Sequence, residues 1–434
     1  MPIFDQGYQH WQGALSGRVW RWLTIARHGV RVQQKNPLLR ILLLLAWLPA
    51  LGLIGAMVLW GLVEQKSETV LNLLRAVLPP DLVQDPHAYR SVVWTLAYSF
   101  FFKTEMFFIM LLVAIAGPGL ISQDLRFNAL PLYFARPLTR LDYFLGKLGV
   151  IGALVLSVAV GPALFAYVIG ACFSLDLSVV KDTYPVLLGS VAYGLIVTLS
   201  VGTFMLALSS LTRRSLYVGI TWAGMWIISS SVATIMTGIH RVSMLHNLQS
   251  QDITRWVDEN PPPEGTQMSR SGGTPYPALK VNPKTGRYQL IGLRPDQEKE
   301  GERWYSAFSE AQGRSWENAQ REQGRALRGD WRPMCSYVAN LERMSDVLLD
   351  TDGAWVTVGR SVERAKQATF AKGFGVAPRG RGAPRELPGS NERQFADAMV
   401  PQYPWTWSAG VLAALLGLST WILTRRVKSL DRLK

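Results

Sequence analysis

Cysteine and histidine are scarce in this sequence, which limits the chemistry that it can support. The two cysteines, Cys172 and Cys335, are too few for a disulfide framework or a metal cluster, and they leave open one bridge or two separate thiols. The histidines lack the spacing of metal ligands and have no carboxylate cluster beside them. They are His10, His28, His87, His240 and His246. No metal site or cofactor is therefore predicted on this chain.

Motifs of nucleotide binding and of catalysis are also missing. The pattern G-x-x-x-x-G-K-[ST], whose backbone amides cradle phosphates, does not occur, so the chain has no predicted ATP site of its own. There is neither a G-x-S-x-G nucleophile turn nor a histidine placed beside a cysteine nucleophile. We therefore predict that the protein is not an enzyme.

The sequence is instead dominated by long apolar runs. Hydrophobic residues make up 49% of the chain and concentrate in runs of twenty or more. A helix of that length crosses a hydrocarbon core of roughly 30 Å and satisfies its own backbone hydrogen bonds there. The sequence predicts an all-α polytopic membrane protein with six transmembrane helices, at about 41–62, 97–118, 148–172, 185–209, 216–238 and 405–424.

The net charge of +14 is divided unevenly between the connections of these spans. Alternate connections together hold 17 lysines and arginines against 4 acidic residues, and the short connections between them hold 4 against 6. The basic set consists of 1–40, 119–148, 209–216 and 425–434. This alternation is the positive-inside pattern, so both termini are predicted to be cytoplasmic. A nucleic-acid-binding protein would cluster such charge on one soluble face, so that class is disfavoured.

Residues 1–40 are predicted to be cytoplasmic and to include an interfacial helix. They lack the apolar core of a cleavable signal peptide, so the first span itself would direct insertion. In 18–33, "RVWRWLTIARHGVRVQ", Trp22, Ala26 and Val30 share one apolar face, and the arginines lie away from it. A cationic helix with tryptophans suits the headgroup layer of a membrane. The alternative is a solvated helix that packs on a neighbouring protein.

Residues 240–404 separate the fifth span from the sixth and are predicted to be extracytoplasmic, because five spans precede them. The segment is rich in proline and glycine, and residues 241–402 are nearly neutral, with 23 lysines and arginines against 20 acidic residues. Either a small folded domain or a set of loops packed on the outer mouth fits this composition. Helices are predicted at 298–328 and 336–349, loops at 259–277 and 373–390, and a turn leading into a strand at 282–294.

Two ionisable residues lie inside the second apolar run. Lys103 and Glu105 are costly in hydrocarbon, so they indicate either a pathway or a partner. Lys103 is shallow enough to reach the interface, and two residues apart the pair cannot share one helix face. A structural role, such as pairing across a helix or dimer interface, and contact with a substrate both remain open. An intramembrane enzyme would need paired carboxylates on facing spans, and Glu105 is the only acidic residue in the six runs.

The connection between the second and third spans, Gly117–Lys147, carries the strongest local signals. Gly117, Pro118 and Gly119 end the second span because proline denies a helix its continued hydrogen bonds. Thr139 and Asp142 have the spacing of a capping box, which would begin a helix that continues into the third span. Between them lies an ordered cytoplasmic elbow with exposed arginines. Such an elbow is either a docking surface or a tether.

These residues resemble a known family. The stretch "GLISQDLRFNALPLYFARPLTRLDYFLGK" is similar to the cytoplasmic segment of permease subunits in the type-2 ABC transporter family, the exporter-like group with six spans per subunit. The ending "WILTRRVKSLDRLK" and the N-terminal "YQHWQG" also resemble that family. The resemblance covers about 1–240 and 403–434. The family's connection between its fifth and sixth spans is normally shorter, whereas here it has about 160 residues.

The resemblance implies a permease subunit in the plasma (inner) membrane of a prokaryote that exports a substrate. A second permease protomer, identical or related, and a separate ATP-binding subunit that holds ATP and Mg would be its partners. The elbow would form the surface that couples to this ATPase. The residues carried over to that surface are Asp124, Arg126, Asn128, Arg136, Pro137, Thr139, Arg140, Asp142 and Lys147. The alternative is a scaffold or signalling subunit without transport, whose extracytoplasmic region binds a partner.

Overall fold

Six helices of the protein are long and apolar enough to cross a membrane, which is the pattern of a multi-pass membrane protein. The computed structural model describes residues 20–74, 80–134, 138–174, 176–281, 288–373, 396, 399–400 and 403–431. The six helical stretches are Pro37–Glu64, Pro86–Arg126, Arg140–Ser174, Ser178–Leu211, Ser215–Glu259 and Trp405–Arg426. The prediction of six such helices is confirmed for the described chain, which is predominantly helical but also contains two short β-hairpins.

The helices are numbered in chain order. The first eight are α1 (Arg21–Gln33), α2 (Pro37–Leu45), α3 (Leu48–Glu64), α4 (Glu68–Leu74), α5 (Pro80–Gln84), α6 (Pro86–Ala116), α7 (Gly119–Arg126) and α8 (Leu130–Phe134). The others are α9 (Arg140–Ser174), α10 (Ser178–Leu211), α11 (Ser215–Glu259), α12 (Glu298–Ala326), α13 (Tyr337–Leu348), α14 (Thr351–Gly373) and α15 (Trp405–Asp431). Two antiparallel hairpins pair β1 (Met268–Ser271) with β2 (Thr274–Pro277) and β3 (Leu279–Val281) with β4 (Tyr288–Leu290).

The first two spans begin earlier than the hydropathy runs indicate. The first begins at Pro37, where Asn36 caps the helix through its side chain, and it breaks between α2 and α3. Pro49 lies in the first turn of α3 and cannot donate the amide that would join the two helices. The second begins at Pro86 rather than near residue 97, because it includes Arg90. That charged side chain is only 1% exposed and is paired inside the bundle.

The helix that contains the fifth span continues well beyond residue 238, where the span is predicted to end. Helix α11 is 45 residues long and ends at Glu259, just before the three prolines at 261–263. Its polar second half is covered by α12, which runs antiparallel to it. Trp304 donates to the carbonyl of Asn260 at 2.9 Å at one end, and Gln323 donates to that of Arg241 at the other. The predicted end of the span at residue 238 is therefore not the end of the helix, because contact with α12 supports the polar turns that follow.

The described part of 240–404 contains more regular secondary structure than its composition indicates, and part of it packs among the spans. The predicted helices at 298–328 and 336–349 are confirmed as α12 and α13, and β4 lies in the stretch predicted to lead into a strand. The stretch 259–277, predicted to be a loop, includes the β1–β2 hairpin. Most of 373–390 lies outside the described residues.

Helix α13 packs among the spans. Tyr337 contacts Ser200 through its hydroxyl group at 2.7 Å. At the other end of the helix, a methyl group on Gly189 would lie 2.6 Å from the carbonyl oxygen of Leu348. These two contacts make α13 antiparallel to α10, with its N-terminal end between the apolar helices.

The N-terminal helix α1 lies tightly against the start of α9. A methyl group on Gly146 would meet Ile25 at 2.6 Å, and one on Gly29 would meet Val150 at 2.4 Å. Close approach at small residues is a common mode of helix packing in membranes. The Gln33 side chain also donates to the carbonyl of Ala116, the last residue of α6, at 3.0 Å. Helix α1 therefore packs on its own spans; whether it also lies in the headgroup layer stays a prediction.

A buried ion pair joins four helices at the end of the bundle opposite the elbow. The Arg90 Nε atom lies 2.7 Å from a Glu64 carboxylate oxygen, and both side chains are 1% exposed. Arg90 also donates to Asp182 at 3.0 Å, and Ser174 donates to Glu64. Helices α3, α6, α9 and α10 thus meet at one charge cluster. The two cysteines, Cys172 and Cys335, are both free and exposed.

Candidate functional site

The elbow, residues 117–147, is attached to the end of the fourth span through the short helix α7. The Ser209 hydroxyl accepts the backbone amides of Ile121 and Ser122 at 3.1 and 3.0 Å, and it donates to the carbonyl of Pro118 at 2.8 Å. Ser209 is fully buried. It therefore satisfies amides in the first turn of α7 that have no partner within the helix. The Gly-Pro-Gly sequence ends α6 at Ala116, as predicted.

Asp124 attaches the last turn of α7 to the third span. Its carboxylate accepts a hydrogen bond from the Tyr143 hydroxyl at 2.7 Å and an ion pair from Lys147 at 2.6 Å. The Lys147 ammonium also lies over the rings of Tyr133 and Tyr143, at 5.9 and 5.4 Å from their centroids. Burial, followed by the nearby Asp124 charge, raises the pKa of Tyr133. Asp124 and Lys147 are thus brought together as a fixed charge pair.

The capping box at the start of α9 is confirmed. The Asp142 amide donates to the Thr139 hydroxyl at 3.2 Å, and the Thr139 amide donates to the Asp142 carboxylate at 3.0 Å. This reciprocal pair fixes the first turn of a helix that runs on to Ser174 without interruption. The elbow therefore re-enters the third span through a rigid helix.

The remaining predicted elbow residues line its outer surface or lie outside the description. Arg126 is exposed and stacks over Phe127, 5.5 Å from the ring centroid. Asn128 is exposed with a φ of 51°, in the left-handed region that asparagine tolerates better than most residues. Arg140 is the first residue of α9 and is partly exposed. Arg136 and Pro137 fall outside the described residues.

Lys103 finds its partner in the connection between the fifth and sixth spans. Its ammonium lies 3.2 Å from a carboxylate oxygen of Asp346 on α13, whose side chain is 1% exposed. The sequence left two roles for Lys103 open, pairing across a helix interface or contact with a substrate. The structure shows the pairing. Asp346 could not be identified from the sequence, because nothing local in "YVANLERMSDVL" shows that this charged helix packs inside the bundle.

Glu105 is not part of that pair. It is fully buried on α6, and neither carboxylate oxygen has a hydrogen-bond partner among the described residues. An unpaired buried carboxylate is costly, since nothing replaces the water that it loses. The structure therefore separates the two predicted intramembrane residues into a paired lysine and an isolated acid.

Helix α13 carries two acidic groups whose titration is perturbed by their surroundings. Burial raises the pKa of Glu342 to about 7, opposed by Lys103 and assisted by Asp346. Burial likewise raises the pKa of Asp346, opposed mainly by Lys103. Arg343, whose charge also acts on Asp346, donates to the carbonyl of Tyr403, near the start of α15, at 3.1 Å. An ion pair between Asp346 and Lys103 thus connects α13 to α6, and a hydrogen bond from Arg343 connects it to the segment before α15.

Aromatic packing holds the deep end of α13. The Tyr337 ring lies 5.8 Å from Phe204 and 6.2 Å from Trp222, measured between ring centroids. The Trp222 indole also donates to the carbonyl of Met110 at 3.0 Å. Ser336, which caps α13, lies 3.2 Å from the hydroxyl of Ser230 on α11. Tyr337 therefore connects α13 to the fourth and fifth spans at one point.

Comparison with known proteins identifies no relative of this chain. No family model, curated protein or solved structure matches the chain.

Proposed function

We propose that the chain is the membrane permease subunit of an ATP-driven exporter of the type-2 ABC class, powered by a separate ATP-binding subunit. The observation that carries this proposal is the attachment of the elbow to three spans. Ser209 fixes the start of α7 to the fourth span, and Asp124 fixes its end to the third, while Pro118 continues directly from the second. A force on such an elbow moves three span ends together.

The proposed mechanism converts movement of the ATPase into movement of these spans. ATP binding draws two ATP-binding subunits together, and each pushes or pulls on an elbow whose exposed side includes Arg126. Coupling requires that the two states of the elbow differ in free energy when the motor is bound. The spans of two protomers then separate, and α13 has to shift because it packs against α6, α10 and α11. Lys103 and Asp346 are the contacts that would resist this shift.

The orientation of the chain in this proposal follows from its charge distribution. The elbow and both termini face the cytoplasm because lysines and arginines concentrate there. Residues 240–404 then face outward, with the paired helices α11 and α12 projecting from the membrane. A second permease protomer, identical or related, completes the transport path.

The test is ATP hydrolysis by the complex of this chain with the ATP-binding subunit that the proposal requires. Arg126→Glu is expected to leave the protein inserted and folded, but to lower both co-purification of the ATPase and its stimulation, because it reverses a charge on the docking side. Arg136→Glu is expected to act in the same direction. The matched control is Arg303→Glu, which reverses an exposed charge on α12 and should change neither quantity.

Two results would count against the proposal. Undiminished capture of the ATPase by both elbow variants would remove the docking role. A wild-type chain in vesicles that stimulates no ATP hydrolysis would favour the alternative of a scaffold or signalling subunit.

A further inference from the structure

The turn between α1 and α2 forms a groove that the proposed transport function does not use. Asn36 caps α2 by accepting the Leu38 amide at 3.0 Å, and Pro37 follows as the first helical residue. The last turn of α1 and one face of α2 then enclose an open groove of about 830 Å³. Its lining residues are Arg31, Gln34, Lys35, Arg40, Leu43, Leu44 and Trp47.

One part of this groove is strongly cationic. Arg31, Lys35 and Arg40 line it, and no aspartate or glutamate occurs anywhere in 20–63. None of the three cations forms an ion pair with another described residue, and Arg40 donates its Nε hydrogen to the carbonyl of Gln34 at 2.5 Å. Three cations at a helix–helix corner leave their charge available to an external anion.

The other part of the groove is apolar and uncovered. Leu43 and Leu44 continue the face of α2 that begins at Arg40, and Trp47, between α2 and α3, follows at the spacing of the same face. Leu44 is 74% exposed and Trp47 is 41% exposed. Tryptophan settles at the boundary between headgroups and acyl chains, and α2 is the start of a span. The groove therefore passes from cations to hydrocarbon across that boundary.

We propose that this groove is a binding site for one anionic phospholipid. The phosphate diester lies among Arg31, Lys35 and Arg40, and an acyl chain lies along Leu43, Leu44 and Trp47. The occupant is a lipid rather than free phosphate because phosphate would leave the apolar half uncovered. It is a lipid rather than an acidic protein segment because the apolar half continues down a membrane-crossing helix.

The experiment compares lipid retention by the full-length protein in detergent, measured by native mass spectrometry. Wild-type protein is expected to retain one phosphatidylglycerol in preference to phosphatidylcholine. The triple variant Arg31→Gln/Lys35→Gln/Arg40→Gln should weaken phosphatidylglycerol binding about a hundredfold, since each basic residue near an anionic membrane surface contributes about a fivefold gain. The matched control Arg213→Gln/Arg270→Gln/Arg303→Gln removes the same charge from exposed positions outside α1 and α2 and should retain the preference.

Two further arms make the outcome decisive. Lys35→Gln alone, which changes one exposed side chain, should weaken binding about fivefold. Inorganic phosphate should not displace the lipid, because it cannot occupy the apolar half. Equal retention of both lipids by the wild type, loss of preference in the control variant, or displacement by phosphate alone would overturn the proposal. None of these outcomes depends on an ATPase, so the site is tested separately from the transport function.

Discussion

Replacing Glu64 by glutamine should destabilise the protein by about 3 kcal/mol. The Glu64 carboxylate accepts four hydrogen bonds: two from nitrogens of Arg90, one from the Trp60 indole and one from the Ser174 hydroxyl. Breaking a buried ion pair from one side costs about 3–5 kcal/mol, because the remaining charge is left buried without compensation. Arg90 retains Asp182, whose side chain is 42% exposed, so the lower end of that range is expected.

The assay for this change is the free energy of unfolding in detergent. Glu68→Gln is the matched control, because Glu68 is exposed at the start of α4 and its substitution should change stability by about 0.5 kcal/mol or less. A double-mutant cycle with Arg90→Gln isolates the pair, and its coupling free energy should account for most of the loss. If Glu64→Gln and Glu68→Gln had equal effects, the ion pair would not hold these four helices together.

Two other predictions concern α13. Gly189→Ala should lower the free energy of unfolding by about 1–3 kcal/mol, since the added methyl group would meet the Leu348 carbonyl oxygen, whereas Gly224→Ala meets nothing within 4 Å and should not. Raising the pH from about 5.5 to about 8 should loosen α13, because folding raises the pKa of Glu342 to about 7. A carboxyl group with a raised pKa stabilises the fold below its unfolded pKa, and this contribution is lost as the pH rises through the folded pKa. Hydrogen exchange in 337–348, expressed as protection relative to an unstructured peptide at each pH, measures this loosening. Glu342→Gln should reduce its pH dependence, and Asp346, whose pKa is also raised by burial, supplies the remainder. An unchanged pH dependence in that variant would contradict the reasoning.

Hydropathy identifies the spans but not all of their ends. The second span begins at Pro86 because Arg90 is neutralised by Glu64, a residue 26 positions away in the sequence. A charge in a hydropathy window counts as polar whether or not a distant partner buries it. The same reasoning explains the end of α11, which is set by its contact with α12. Long-range pairing of this kind cannot be seen in a local pattern.

The elbow was more predictable than the intramembrane contacts. Gly117, Pro118, Thr139 and Asp142 act through neighbours in sequence, so their roles as helix stop and capping box could be derived from spacing alone. The anchor at Ser209 is about 90 residues from its partners, and Asp346 is more than 240 residues from Lys103. Serine in "SSLTRRS" carries no local signal of a cap for a distant helix. Those contacts required the three-dimensional structure.

Site-specific photo-crosslinking from position 126 tests the central claim most directly. A photoreactive residue placed there, in the cells that naturally produce the protein, should crosslink to an ATP-binding subunit, and one at position 303 should not. A crosslink that forms from 303 and not from 126, or accessibility of position 126 from outside intact cells, would contradict the assignment of the elbow as the coupling surface.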